Sequence, residues 1–179
     1  MTVKMPVQAS EKIMKAVFLL VASLFFAPSA LAQETIALAI EGWSAETRDG
    51  VTYYRCASSV CAAGSTVSYK EQPHRTNISL ADFEKHHRGL VEQNKGVGRI
   101  RDVRLSDIKQ RTVEGVRVMQ AFREVDWADN RTVFTIEARL IGPGRSFSLV
   151  SDSPKREWTV NNFEGFLRSL VAIAGIKGR

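Results

Sequence analysis

Histidine and cysteine are scarce in this sequence, and their scarcity removes whole classes of chemistry. Histidine occurs only at His74, His86 and His87. His86 and His87 are neighbours, so on a helix their side chains diverge by about 100° and cannot chelate one ion together. The i, i+4 histidine pair of zinc helices is missing. His87 falls on an apolar helical stripe and is expected at the edge of a core, with His86 in solvent. Cysteine occurs only at Cys56 and Cys61, with no second pair to complete the ligands of a structural zinc site. No metal and no cofactor are expected.

Motifs of nucleophilic and nucleotide chemistry are lacking too. Gly142-Pro-Gly-Arg-Ser146 has no second glycine after the serine of a nucleophile elbow and no Gly-Lys-Ser/Thr ending of a phosphate loop. It reads as a hairpin turn. Lys95-Gly96-Val97-Gly98 follows a helix, where a dinucleotide fingerprint precedes one. Asp126-Trp-Ala-Asp129-Asn130 lacks the spacing of a calcium loop and is ordinary turn chemistry. The chain has no internal repeat and no low-complexity segment.

The N-terminal stretch carries a clear pattern. Lys15 precedes the apolar run Ala16 to Ala27, and Pro28-Ser-Ala30-Leu-Ala32 follows. This is the order of a cleavable signal peptide, expected over residues 1–32 with Gln33 as the first mature residue. Met14-Lys15-Ala16 would open such a peptide directly, so the expected translation start is Met14. No cysteine sits at the cleavage site to carry a lipid, and no stable membrane insertion is expected after cleavage. The short signal ending in Ala-Leu-Ala fits a bacterial envelope protein, periplasmic or secreted. In that oxidising compartment Cys56 and Cys61 are expected to form one disulfide. Closing so short a loop contributes on the order of 2 kcal/mol, so the bridge is a local staple.

Removing residues 1–32 from the 179 leaves 147, the size of a single domain over 33–179. A first strand is expected at Ile36 to Ile40. Arg48-Asp49-Gly50 marks a turn before the strand Val51 to Cys56, and Cys61 opens a second arm through Ser65 to Tyr69, so the disulfide should tie a hairpin near its tip. Ser79 caps a helix with Asp82 at its third position and Ile78 stapled to Phe83. Leu80, Phe83, His87, Leu90 and Val91 share one face of it, and Gly96 stops it. Strands follow from Arg99 to Val150 with turns at Glu114-Gly115, Ala128-Asp129-Asn130 and Gly142-Pro143-Gly144. In one of them Phe134, Ile136, Ala138 and Leu140 alternate with Thr135, Glu137 and Arg139, so one face is buried and one is wet. A final helix, capped by Thr159 with Trp158 stapled to Phe163, carries the stripe Phe163, Phe166, Leu167, Leu170, Val171 and Ala174. The expected fold is α+β, a single antiparallel sheet of about six to seven strands with two amphipathic helices packed on one face.

This element order, with a strongly amphipathic last helix after the hairpin ending at Arg145 to Val150, resembles the Mog1/PsbP-like family of small α/β sandwich proteins. The resemblance implies a non-catalytic binding role. The formal charge falls from +6 to +4 once Lys4, Lys12, Lys15 and Glu11 are removed with the signal, and arginine supplies most of it. That balance favours an anionic envelope polymer or an envelope protein as partner and argues against nucleic acid. Arg99, Arg101 and Arg104, within the basic run that continues to Arg117, are the candidate contacts, and Trp127 in a turn is a further one. Two alternatives are an inhibitor of a secreted hydrolase such as lysozyme, presenting the Cys56–Cys61 loop, and a small hydrolase built on Glu137 or Asp126 with a second carboxylate in a cleft.

Overall fold

The computed structural model describes residues 38–175. The expected signal segment and start at Met14 lie outside these residues, as does the beginning of the strand expected at Ile36. Nine elements follow in order: β1 (Trp43–Arg48), β2 (Val51–Cys56), β3 (Thr66–Gln72), α1 (Leu80–Asn94), β4 (Ile100–Val113), β5 (Val116–Trp127), β6 (Thr132–Ile141), β7 (Ser146–Ser153) and α2 (Arg156–Ala174). The strands form one antiparallel sheet in the order β1-β2-β3-β7-β6-β5-β4. It consists of two meanders joined where β3 meets β7, with α1 carrying the chain from β3 to the far edge at β4.

Short turns set the hairpins. Asp49 and Gly50 have φ of 54° and 72°, and Glu114 and Gly115 have 48° and 80°. Positive φ at both central residues gives the two-residue turn whose twist matches that of the strands. The first strand differs from expectation: β1 begins at Trp43, and Leu38 to Ile40 is irregular chain. Leu38 is tied down by the Tyr54 hydroxyl, which accepts from its N–H at 2.7 Å and donates to its carbonyl at 3.0 Å.

The two helices take opposite faces of the sheet, a correction to the expectation of one shared face. On β5, Val116, Val118 and Phe122 join Phe163, Phe166, Leu167 and Leu170 of α2 in the main core. Met119 and Ala121, on the other face, join Phe83 of α1 and Ile141 in a smaller one. The reason is the composition of β5, which is apolar on both faces and so needs cover on both. The clean alternation of β6 ends at Ile141, which packs on Phe83 of α1.

Helix α1 starts as expected. The Ser79 hydroxyl accepts from the Asp82 N–H at 3.1 Å, and the Asp82 carboxylate accepts from the Ser79 N–H at 3.2 Å. Helix α2 starts earlier than expected, with Lys155 as its N-cap and no side-chain cap. Ser153 accepts from the Lys155 N–H at 3.3 Å, whereas Thr159 is buried in the first turn, its hydroxyl 3.1 Å from the carbonyls of Phe134 and Lys155. Cys56 and Cys61 are joined, with Cα atoms 5.7 Å apart. Cys61 lies in the β2–β3 loop rather than on the second arm, so the bridge staples one loop and does not cross the hairpin. A disulfide fits an oxidising compartment, and no described helix is long and apolar enough to cross a membrane.

Candidate functional site

The residues expected to bind, Arg99, Arg101, Arg104 and Trp127, do converge. Ile100 pairs with Trp127 across β4 and β5, and the Ala128 N–H donates to the Arg99 carbonyl at 2.8 Å. Each guanidinium, however, already has a partner from this chain. Arg99 reaches Asp129 at 3.3 Å and Arg101 donates to the Asn130 side-chain oxygen at 3.1 Å. Arg104 meets Asp102 at 3.1 Å, Glu124 at 3.0 Å and Asp126 at 2.7 Å. Asp126 and Glu124 stabilise the charged guanidinium of Arg104, and Arg104 with Thr132 holds Asp126 below the usual carboxylate range. Of the rest of the run, Arg111 pairs with Glu164 and Arg117 donates to the Thr76 carbonyl at 2.6 Å. Trp127 is half-buried with the Arg131 guanidinium 5.4 Å from its ring centroid, and its Nε1 has no acceptor.

A pocket of ≈ 350 Å³ lies between α1 and the sheet. It exists because α1 packs on β4 and β5 while α2 packs on β3, β6 and β7 from the other face. On that face no described helix packs over β7 and β3, while α1 reaches β6 at Ile141 and Glu137, so the flank of α1 makes a wall. Phe83, His86 and His87 come from that wall, Glu137 and Arg139 from β6, and Ser148 from β7.

The pocket floor carries a matched ion pair. Arg123 donates to Glu137 at 2.6 Å. His87 is 1% exposed, packs on the Phe83 ring at a centroid distance of 4.3 Å, and has its Nδ1 4.0 Å from the Glu137 carboxylate without a hydrogen-bond partner. Burial pushes the His87 imidazole below its ordinary value; Glu137 pulls it back, and Arg123 and His86 add to the depression. Beside this pair, burial raises the Asp152 carboxyl although Thr135 donates to it at 2.6 Å. Asp82 also lines the pocket, but it is committed to the cap of α1, and the Ser79 hydroxyl and N–H hold it below the usual carboxylate range.

The depressed imidazole makes a prediction about acid stability. Below pH ~6.5 the unfolded chain binds a proton at His87 that the folded chain resists, so this contribution is complete above pH ~6.5 and is lost as pH falls. His87→Gln should flatten that loss, and urea midpoints compared at pH 7 and pH 5.5 read it directly.

Arg139 differs from Arg101 and Arg117, which also bond only to neutral oxygens, in lining the pocket beside α1. Its side chain is half-buried and donates to the Pro73 carbonyl at 2.9 Å, and among the described residues no carboxylate pairs with it. Its Nε is buried without an acceptor. Burial, with Arg75 nearby, lowers its pKa from the usual arginine value, yet arginine stays charged in proteins. Hydrogen-bonding groups surround it: Gln72 donates to the Ser148 hydroxyl at 3.0 Å, and His74 Nδ1 lies 3.0 Å from the Ser146 hydroxyl. Arg139 thus brings a positive charge to a pocket whose lining also includes Gln72, Ser148 and Glu137.

The alternation of β6 had already placed Glu137 and Arg139 on its wet face; what it lacked was the α1 wall that turns that face into a pocket. The fold defines the molecule as an α+β domain, with Arg139 lining a pocket on the sheet face beside α1. No protein-family model matches the chain, and no curated protein matches it. Among the described residues no group of three or more His, Cys, Asp or Glu side chains is placed to hold a metal ion.

Proposed function

We propose that this chain is an exported, non-catalytic binding domain of the bacterial envelope that holds an anionic group of an envelope component on Arg139. The observation that carries the reading is the half-buried Arg139 side chain, without a carboxylate partner among the described residues and with an unused Nε, lining the pocket beside α1. The signal-like residues 1–32, the Cys56–Cys61 disulfide and the Mog1/PsbP-like element order support an exported binder. Nucleic acid is a poor partner for an exported domain of formal charge +4. The hydrolase alternative has less support at Asp126, which Arg104 holds below the usual carboxylate range, the wrong direction for a general acid; Glu137 is engaged by Arg123 at 2.6 Å.

The test is co-sedimentation of the exported chain with purified envelope fragments. Losing a charge-assisted hydrogen bond costs about 1.5–3 kcal/mol, so Arg139→Gln should weaken binding about tenfold to a hundredfold. Binding should also weaken from 0.1 M to 1 M salt, as the Debye length shrinks from ~10 Å to ~3 Å. Arg99→Ala with Arg101→Ala should leave it nearly unchanged, because those side chains already have partners. Sedimentation indifferent to Arg139→Gln would refute the assignment.

A further inference from the structure

The strand register extends the Arg139 site into a row. Arg139 pairs with Ser148, Ser148 with Lys70, Lys70 with Val51, and Val51 with Arg48. Cross-strand partners share a face, so Arg139, Lys70 and Arg48 stand on one line across the sheet, on the face opposite α2. They occupy β6, β3 and β1, with one strand between each pair. Adjacent strands lie ~4.8 Å apart, which spaces the backbone positions of these cations ~9.6 Å from one another. Lys70 and Arg48 are exposed, and among the described residues neither is in an ion pair with an acid.

The groups between and beside the cations are hydroxyls and an aromatic ring. Ser148 lies within the row, and the adjacent row runs Glu137, Val150, Ser68, Tyr53 and Glu46. Tyr53 is half-buried, with the Arg48 guanidinium 5.5 Å from its ring centroid. Of the acids in that row, Glu137 is matched by Arg123, and Glu46 lies at the outer edge on β1.

We propose that the ligand of this face is a linear acidic polysaccharide carrying one carboxylate on every second sugar, laid across the strands from Arg139 to Arg48. The proposal rests on the reading of Arg139 as an anion receptor and names its ligand class. The cation spacing approximates the length of two linked sugar rings, the serine hydroxyls suit sugar hydroxyls, and the Tyr53 ring offers a face on which a sugar can stack. An extended acidic peptide would want pockets for alternate side chains, whereas this face offers small hydroxyl residues. A single nucleic-acid strand brings phosphates more closely than these cations are placed.

The experiment titrates the exported chain with hyaluronan oligosaccharides of two, four, six and eight sugars. Affinity should rise with length up to six sugars, which span all the cations of the row, and then level off. Arg139→Gln should weaken the disaccharide and the hexasaccharide alike. Lys70→Ala and Arg48→Ala should each weaken the hexasaccharide about two- to fivefold, as exposed ion pairs worth up to ~1 kcal/mol, and leave the disaccharide untouched. Disaccharide binding that depends on Arg139 without any gain from length would overturn the polysaccharide and keep the anion pocket. Indifference of both ligands to Arg139→Gln would overturn both. Equal binding of polyglutamate, or of uncharged chitin oligosaccharides, would also overturn the proposal.

Discussion

Replacing Phe163 by alanine is expected to lower the unfolding free energy by about 3–5 kcal/mol. Phe163 is 0% exposed and faces the sheet from α2, in the same cluster as Leu140, Phe147 and Leu149. Its removal deletes apolar contact and leaves a cavity that a sheet on one side and a helix on the other cannot close. Domains of this kind hold only about 5–15 kcal/mol in total, so the loss is a large share of the whole. In urea the midpoint should fall with the slope unchanged. Val160→Ala, on the exposed side of the same helix, should stay within about 0.5 kcal/mol of the parent. Similar midpoints for the two variants would mean that α2 does not close the main core.

Gly142→Ala should also destabilise the domain, for a different reason. A Cβ at residue 142 would lie 1.9 Å from the Ala174 carbonyl oxygen and 2.6 Å from its carbon. The neighbour is backbone, so relief requires either the β6–β7 turn or the last turn of α2 to move. Overpacking of this kind costs about 1–3 kcal/mol. Hydrogen exchange should then quicken first at the C-terminal end of α2, while the sheet keeps its protection. Gly89→Ala is the matched comparison, since a Cβ there meets nothing within 4 Å inside α1. It should raise stability by about 0.5–1 kcal/mol. Two glycines are thus expected to respond with opposite signs.

What was legible in the sequence was local. The capping box at Ser79 and Asp82 is a contact over three residues, and the stripe Phe163 to Ala174 is a helical period; both appear as read. The turns at Asp49-Gly50 and Glu114-Gly115 were visible because few residues accept positive φ there. The reading failed where two local signals competed. At α2, Thr159 looked like a cap, yet the helix begins at Arg156 and buries Thr159 against β6. At the start of the chain, the alternation of Ile36 to Ile40 pointed to a strand, but the described part of it packs on the core as irregular chain.

The arginines divide in the same way. Composition showed an excess of arginine but not which guanidinium lacks a partner. Arg104 meets Glu124 and Asp126 because β4 pairs with β5, and Arg139 lies opposite Ser148 because β6 pairs with β7. The sequence by itself determined the order of elements, the helix start at Ser79, the apolar stripe of α2 and the availability of two cysteines for one bridge, because each depends on residues a few positions apart. The tertiary structure alone decided that α1 and α2 take opposite faces, that α1 leaves β7 and β3 open, and that Arg139, Lys70 and Arg48 fall on one line. Those are consequences of β3 pairing with β7, a contact between residues as far apart as Lys70 and Ser148, and no local pattern encodes a pairing at that separation.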